Sequence, residues 1–169
     1  MSNNNYHKIG KAPLFHVFLS TGMGTGFLPI APGTVGALVA LGIWYLLYIY
    51  LPLSVLTIVT SCLVFGTILV GVWTSEIMEH YWGKDPRAVN IDEFVGTWIP
   101  LLVAPCGDKT WILALFGFVM FRVIDIFKPL GCRIIDEKCE GGWGVMLDDV
   151  LAGFYALMLT LCLKTILYF

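Results

Sequence analysis

The chain alternates long uncharged apolar runs with short polar segments. Residues 35–50 and 53–73 contain no charged side chain and are separated by Pro52. A helix that crosses the hydrocarbon core of a bilayer needs about 20 residues, with a range of about 17–25. The two runs therefore predict two crossing helices joined by a tight turn. The second helix is expected to continue through polar residues and to end near Gly83.

Three further apolar runs follow. Residues 94–106 and 111–121 are shorter and are separated by a polar turn at 107–109. At a rise of 1.5 Å per residue, a helix over 91–105 would reach only about 22 Å, less than a full hydrocarbon core. We therefore predict two short crossings whose polar ends dip toward the membrane. The last run, 150–169, predicts a fifth crossing.

Two segments precede these runs. Residues 14–19 are apolar but too short to span, so they predict an N-terminal interfacial helix. Residues 20–36 are rich in glycine and proline, which predicts an ordered loop. Its glycines either donate backbone N–H groups to a phosphate or permit close packing, and both readings stay open. Thr34 is predicted to cap the helix that follows.

The predicted fold class is all-α: a polytopic membrane helical bundle with about five membrane-crossing segments, two of them short. The N-terminal interfacial helix and the Gly/Pro-rich loop precede them. The whole chain, residues 1–169, is predicted to form a single membrane-embedded domain. No short apolar stretch with a small-residue cleavage site follows the polar first 13 residues, so we expect no cleaved signal peptide.

Composition supports a membrane protein. The chain is 58% hydrophobic and 13% charged, with a mean hydropathy of +0.83, whereas soluble domains carry about 25% charged residues. The net charge of −2 provides no basic surface for nucleic acid. The five cysteines include no C-x-x-C pair, which predicts reduced thiols. No feature indicates a required protein partner.

The charges are distributed unevenly across the predicted membrane. The turns at 50–53 and 107–110 and the C-terminus share one side, which holds only Asp108, Lys109 and Lys164. The other side receives eleven of the twelve acids and eight of the ten bases. The positive-inside rule makes that second side cytoplasmic.

Three groups of charged residues meet on the predicted cytoplasmic side. They are Asp92 and Glu93 before the third run, Arg122, Asp125 and Lys128 after the fourth, and Asp148 and Asp149 before the fifth. The middle three are spaced at i, i+3 and i+6 and would share one helix face. One interpretation is that the acids cap helix N-termini and the bases anchor the protein. This interpretation leaves the second acid of each pair, and Asp125 near a helix C-terminus, without a role.

The second interpretation is a metal and phosphate site. Five converging carboxylates repel one another unless a cation neutralises them, and oxygen-only ligands favour Mg²⁺ or Mn²⁺. Arg122 and Lys128 beside the ion would suit a phosphate group. No nucleophilic C-x5-R, His or D-x-D motif is present, which leaves attack by metal-activated water. The rival classes are a transporter, although three crossings lack polar groups, and a non-catalytic scaffold with helix-capping acids.

Four motifs in series resemble the bacterial phosphatidylglycerophosphatase A family. They are Asp92-Glu93-Phe94 with Gly96, Phe121-Arg122-x-x-Asp125-x-x-Lys128-Pro129, Gly142-x-Gly144-x-Met146-x-Asp148-Asp149, and the loop Gly24–Gly36. The resemblance runs from about residue 14 to 155. It implies a Mg²⁺-dependent lipid phosphatase that hydrolyses the terminal phosphomonoester of phosphatidylglycerophosphate, giving phosphatidylglycerol and phosphate. It also implies a multi-pass protein of the bacterial inner membrane whose active site faces the cytoplasm.

The resemblance and the charge pattern together suggest a role for each site residue. The predicted metal ligands are Asp92, Glu93, Asp148 and Asp149, and Asp125 is a further ligand or the base that orients water. Arg122 and Lys128 are predicted to bind the phosphomonoester and to stabilise its charge during attack, with Gly33 and Thr34 also binding substrate. The substrate would be a phospholipid presented from the bilayer. Arg133 and Lys138 either attract anionic headgroups or serve as ordinary anchors.

Overall fold

The computed structural model describes residues 11–84, 86–129, 131–132 and 139–168. These residues form α-helices and a short 3₁₀ turn, and no strand is found among them. The elements are α1 (Leu14–Ser20), the 3₁₀ turn Thr25–Phe27, α2 (Pro32–Tyr50), α3 (Leu53–Trp82), α4 (Asp92–Leu101), α5 (Thr110–Phe127) and α6 (Gly141–Tyr168). The all-α prediction is confirmed. Arg133 and Lys138 lie outside the described residues.

Four of the described helices, α2, α3, α5 and α6, are long and apolar enough to cross a membrane. Large apolar side chains such as Phe65 and Leu69 on α3 are exposed on their outer faces. A water-soluble fold would bury such side chains, whereas a bilayer solvates them. The predicted helical membrane bundle is therefore confirmed. The five cysteines carry free thiols, as expected.

Two predicted lengths are wrong, and both concern the site. The fourth crossing was predicted to be short, over 111–121, but α5 has 18 residues and is long enough to cross a membrane. Its continuation through Arg122 and Asp125, which the i, i+3, i+6 spacing predicted, is confirmed. The last helix begins at Gly141 and not near 150. Asp148 and Asp149 therefore lie in its third turn, so they do not cap its N-terminus.

The early start of α6 has a specific physical cause. The backbone N–H of Gly142 donates a 2.7 Å hydrogen bond to Glu76 Oε2 on α3, which satisfies one of the unpaired N–H groups of the first turn. A Cβ at Gly142 would overlap the backbone carbonyl of Val72. Glycine therefore brings α6 into close contact with α3.

The start of α2 also differs from the prediction. The helix begins at Pro32, and no side chain caps it. Proline suits the first helical position because its missing N–H would have no partner there. Thr34 lies inside the first turn, so its predicted capping role is wrong.

The short helix α4 is enclosed by the longer helices. Nine of its ten residues are buried, and it packs against α2, α3, α5 and α6. Trp98 Nε1 donates a 2.9 Å hydrogen bond to the Ala40 carbonyl on α2. An incomplete helix is tolerated at membrane depth where protein surrounds it. The predicted short third segment is thus an internal helix, which places its N-terminal acids inside the bundle.

The two ends of the bundle differ in chemistry. At one end, Lys164 Nζ donates to the Val103 carbonyl at 2.9 Å, and Lys109 Nζ donates to the Leu167 carbonyl at 2.6 Å. These contacts bring together the charged residues that the sequence assigned to one side. The start of α4, the end of α5 and the start of α6 lie at the opposite end.

At that opposite end, α1 and the Gly/Pro-rich loop cover the bundle. The His16 ring packs edge-on against Trp73 of α3, with 4.7 Å between ring centroids. Asn90 Nδ2 donates to Thr25 Oγ1 at 2.8 Å and to the Pro32 carbonyl at 3.0 Å. The short N-terminal helix is confirmed, and its interfacial position stays a prediction.

Candidate active site

The structure brings together the seven charged side chains that the sequence singled out, from three helices and the residue after α5. Asp92 and Glu93 occupy the first turn of α4. Arg122 and Asp125 lie near the end of α5, and Lys128 follows it in a left-handed conformation. Asp148 and Asp149 come from the third turn of α6.

Arg122 links α4 to α5. Its Nη1 donates hydrogen bonds to Glu93 Oε2 and, at 3.0 Å, to Asp125 Oδ2. Its Nη2 lies 3.5 Å from Thr34 Oγ1 of α2. A Cβ at Gly33 would overlap the Glu93 carboxylate. The structure thus places Gly33 and Thr34 against this ion pair: Gly33 leaves room for the carboxylate, and Thr34 approaches the guanidinium. Their role in substrate binding stays a prediction.

Three carboxylates lie close enough to share one metal ion. Oxygens of Asp125, Asp148 and Asp149 all lie within 4.8 Å of one another, and Asp148 and Asp149 are buried. Lys128 Nζ donates to Asp148 Oδ2 at 2.8 Å. This group contains two of the four predicted metal ligands together with Asp125, for which the sequence left two roles open.

Asp92 and Glu93 line the same cavity but lie outside that group of three. Burial raises the pKa of Asp92 well above its ordinary value, and the neighbouring carboxylates of Glu93, Asp148 and Asp125 raise it further. Burial also raises the pKa of Glu93 to about 7, although the Arg122 guanidinium opposes the rise. These acids therefore resist carrying full negative charge together, and a bound cation would relieve their repulsion.

A cavity of about 340 Å³ opens beside the carboxylates. Its wall also includes Glu79 and Lys84 from the end of α3 and the loop after it, two residues that were not among the predicted site residues. The available signal was the polar end of the third helix, where Glu76 and Glu79 share a face. The sequence pattern predicted only that this helix continues through polar residues and ends near Gly83.

Fold and site together define a class of protein. It is a polytopic helical membrane protein in which buried acids and two cations form one cluster at one end of the bundle. Ionisable groups inside membrane helices are costly and are by default functional. The oxygen-only donors suit a hard divalent ion, and the adjoining cations suit an anionic ligand.

Comparison with known proteins identifies the family. The family model described as phosphatidylglycerophosphatase A matches residues 18–164, so the chain belongs to the phosphatidylglycerophosphatase A family. The resemblance seen in the sequence is thereby confirmed. Phosphatidylglycerophosphatase A of Escherichia coli is 36% identical over 80% of this chain and 75% of its own length. The protein of that name from Haemophilus influenzae is 36% identical over 96% of both chains.

A relative with a different name is more similar. A Bacteroides thetaiotaomicron protein, provisionally named phosphatidylinositol-3-phosphatase, is 47% identical over 88% of this chain and 94% of its own length. No solved structure gives a significant match. The relatives' names agree on phosphatase chemistry and differ in the lipid headgroup.

Proposed function

We propose that the protein hydrolyses the terminal phosphomonoester of phosphatidylglycerophosphate to phosphatidylglycerol and phosphate. The observation that carries this proposal is the group of Asp125, Asp148 and Asp149, whose oxygens lie within 4.8 Å of one another, in a chain of the phosphatidylglycerophosphatase A family. Helix capping explains neither of the α6 acids, because both lie in the third turn. Their burial beside a cavity suits a metal and phosphate site.

The residues present fit a divalent ion. Their donors are carboxylate oxygens alone, which favour Mg²⁺, and Asp125, Asp148 and Asp149 would hold it. Asp92 and Glu93 supply further negative charge along the same cavity wall. When bound, such an ion lowers the pKa of a water molecule and screens the charge of the phosphate.

The protein's own cations have separate roles in this proposal. Lys128 lines the cavity and binds the phosphomonoester. Arg122 forms ion pairs with Glu93 and Asp125 and thereby orients these two acids. Its charge also adds positive potential next to them. Positive charge placed before the reaction stabilises the negative charge that builds up on phosphate oxygens during attack.

The substrate reaches the cavity from the bilayer. Ile126 lines the cavity and is largely exposed on the outside of α5, next to the exposed Phe127. Lipid would contact these side chains, so a headgroup can enter while its acyl chains stay in the membrane. The protein is proposed to lie in the bacterial inner membrane with this end cytoplasmic, since most basic residues lie there.

Phosphatidylinositol 3-phosphate is a second candidate substrate. It is favoured by the name of the relative that is 47% identical. The same cluster would act on either phosphomonoester, because the metal and phosphate chemistry does not depend on the alcohol. The headgroup is therefore decided by measurement of kcat/KM for each lipid.

The deciding experiment measures phosphate release by the purified protein in mixed micelles. We expect release from phosphatidylglycerophosphate with Mg²⁺, loss of release with a chelator, and a decrease of at least a hundredfold for Asp149→Asn. Asp108→Asn is the matched control, because Asp108 is exposed at the opposite end of the bundle. The phosphatase would be excluded if neither phosphatidylglycerophosphate nor phosphatidylinositol 3-phosphate released phosphate, or if Asp149→Asn were as active as Asp108→Asn. Either result would favour a transporter or a scaffold.

A further inference from the structure

Lys84 is a cation of the cavity wall that the proposed chemistry does not use. Helix α3 ends at Trp82, and Gly83 has a φ of +91°, a conformation that residues other than glycine rarely adopt. The chain turns there, and Lys84 becomes part of the wall that contains the metal-binding group. The turn thus adds a positive charge to a largely acidic cavity.

The cations of the site are ordered by depth. The Arg122 side chain is 12% exposed, that of Lys128 is 32% exposed and that of Lys84 is 50% exposed. The carboxylate side chains of Asp125 and Asp148 are 16% and 10% exposed. Lys84 therefore marks the outer part of the cavity, and the acids mark its inner part.

Lys84 also differs from the inner cations in its ionic partner. Arg122 and Lys128 bond to acids of the cluster at hydrogen-bonding distance, whereas Lys84 Nζ lies 3.7 Å from Glu140, whose side chain is 84% exposed. Exposed pairs of this kind contribute little energy. An anionic ligand in the outer cavity can therefore compete for Lys84.

We propose that Lys84 binds the phosphodiester of the lipid headgroup while the phosphomonoester lies at the inner carboxylates. This inference rests on the proposed function and specifies how the substrate is recognised. In phosphatidylglycerophosphate, three carbons separate the oxygen that carries the monoester from the oxygen that carries the diester. Phosphatidylinositol 3-phosphate has the same spacing between ring positions 1 and 3. One outer cation thus serves both headgroups, which would account for relatives that carry both names.

The test compares Lys84→Gln with Arg87→Gln. Arg87 is exposed in the same loop and does not line the cavity, so its substitution removes the same charge near the membrane. For Lys84→Gln we expect KM for phosphatidylglycerophosphate to rise about tenfold with little change in kcat, as for loss of one charged contact made equally in the ground and transition states. Lys84→Arg should restore KM to within about threefold of its original value, because it preserves the charge.

Product inhibition identifies which phosphate Lys84 contacts. Glycerophosphoglycerol contains the diester alone, and inorganic phosphate stands for the monoester. In Lys84→Gln the inhibition constant for glycerophosphoglycerol should rise about tenfold, while that for inorganic phosphate stays within twofold. Equal increases for both inhibitors would overturn the assignment to the diester. Equal KM increases in the Arg87 variant would indicate general attraction to an anionic surface and would also overturn it.

The two proposals can fail separately. If the unmodified protein releases no phosphate from either lipid, the proposed function itself fails. If it is active but Lys84→Gln retains the original KM and both inhibition constants, only the role of Lys84 fails. Lys84→Gln and Arg87→Gln should unfold at the same temperature as the original protein, which would show that the kinetic comparison is made on folded protein.

Discussion

Arg122→Gln should destabilise the protein strongly, because it breaks an ionic link between α4 and α5. The guanidinium bonds to Glu93 and Asp125, and the three side chains are 12%, 11% and 16% exposed. Water screens such buried charges weakly. Removing one partner of a buried ion pair costs about 3–5 kcal/mol, since it leaves an unpaired charge.

That cost should be visible in thermal unfolding. For a chain of this size, each kcal/mol lowers the melting temperature by about 2–4 °C, so Arg122→Gln should lower it by roughly 6–20 °C. The assay is thermal unfolding of purified protein in detergent with chelator present, so that metal binding does not contribute. The melting temperature of Arg122→Lys should lie between those of the original protein and Arg122→Gln. The lysine keeps the positive charge, but its single ammonium replaces the fork of guanidinium donors.

A double-mutant cycle tests the reason for the loss. Glu93→Gln removes one of the two carboxylates that Arg122 neutralises, so the double variant should be more stable than the sum of the single losses predicts. We expect a coupling of about 1–3 kcal/mol between the two positions. Additive losses, or an Arg122→Gln variant as stable as the original protein, would refute the view that this pair joins the helices.

Three further predictions test the site and its supports. Mg²⁺ at a hundredfold excess over its dissociation constant should stabilise the protein by about 2.7 kcal/mol, seen as a higher melting temperature that Asp149→Asn lacks. Gly33→Val should reduce kcat at least tenfold in the phosphate-release assay because its side chain would overlap a site carboxylate, whereas Gly42→Val, which meets open space, should not. Glu76→Ala should lower the unfolding free energy by about 1–3 kcal/mol, measured by thermal unfolding, because the Gly142 N–H loses its acceptor.

Sequence periodicity was enough to predict most of the cluster. Asp92 and Glu93 precede an apolar run, so their position at a helix start follows from the pattern alone. Arg122 and Asp125 are three residues apart, and their shared face follows from helix geometry. The distribution of charged turns between the two sides of the membrane then predicted that these residues lie at one end of the bundle with Asp148. The distances between them follow only from the tertiary structure.

Other features depend on contacts that are distant in sequence. Gly141 and Gly142 have low helix propensity, yet they lie in α6, where both pack closely on α3 and Glu76 accepts a hydrogen bond from Gly142. The crossing in α5 was predicted as short because the apolar run stops at Arg122, although the spacing of Arg122 and Asp125 indicates that the helix continues. Lys84 joins the cavity only through the turn at Gly83.

The charge on the cavity wall explains why such a site would depend on a metal ion. Among the residues that the structure describes, six carboxylates line the cavity, from Glu79, Asp92, Glu93, Asp125, Asp148 and Asp149, against the two ammonium groups of Lys84 and Lys128. A phosphomonoester carries up to two negative charges, so it would be repelled by this wall unless further cations were present. Protonation of the acids would reduce the repulsion but would also remove the ligands. A bound divalent ion would halve the excess negative charge of these residues and keep the carboxylates ionised, so substrate affinity should fall together with metal occupancy.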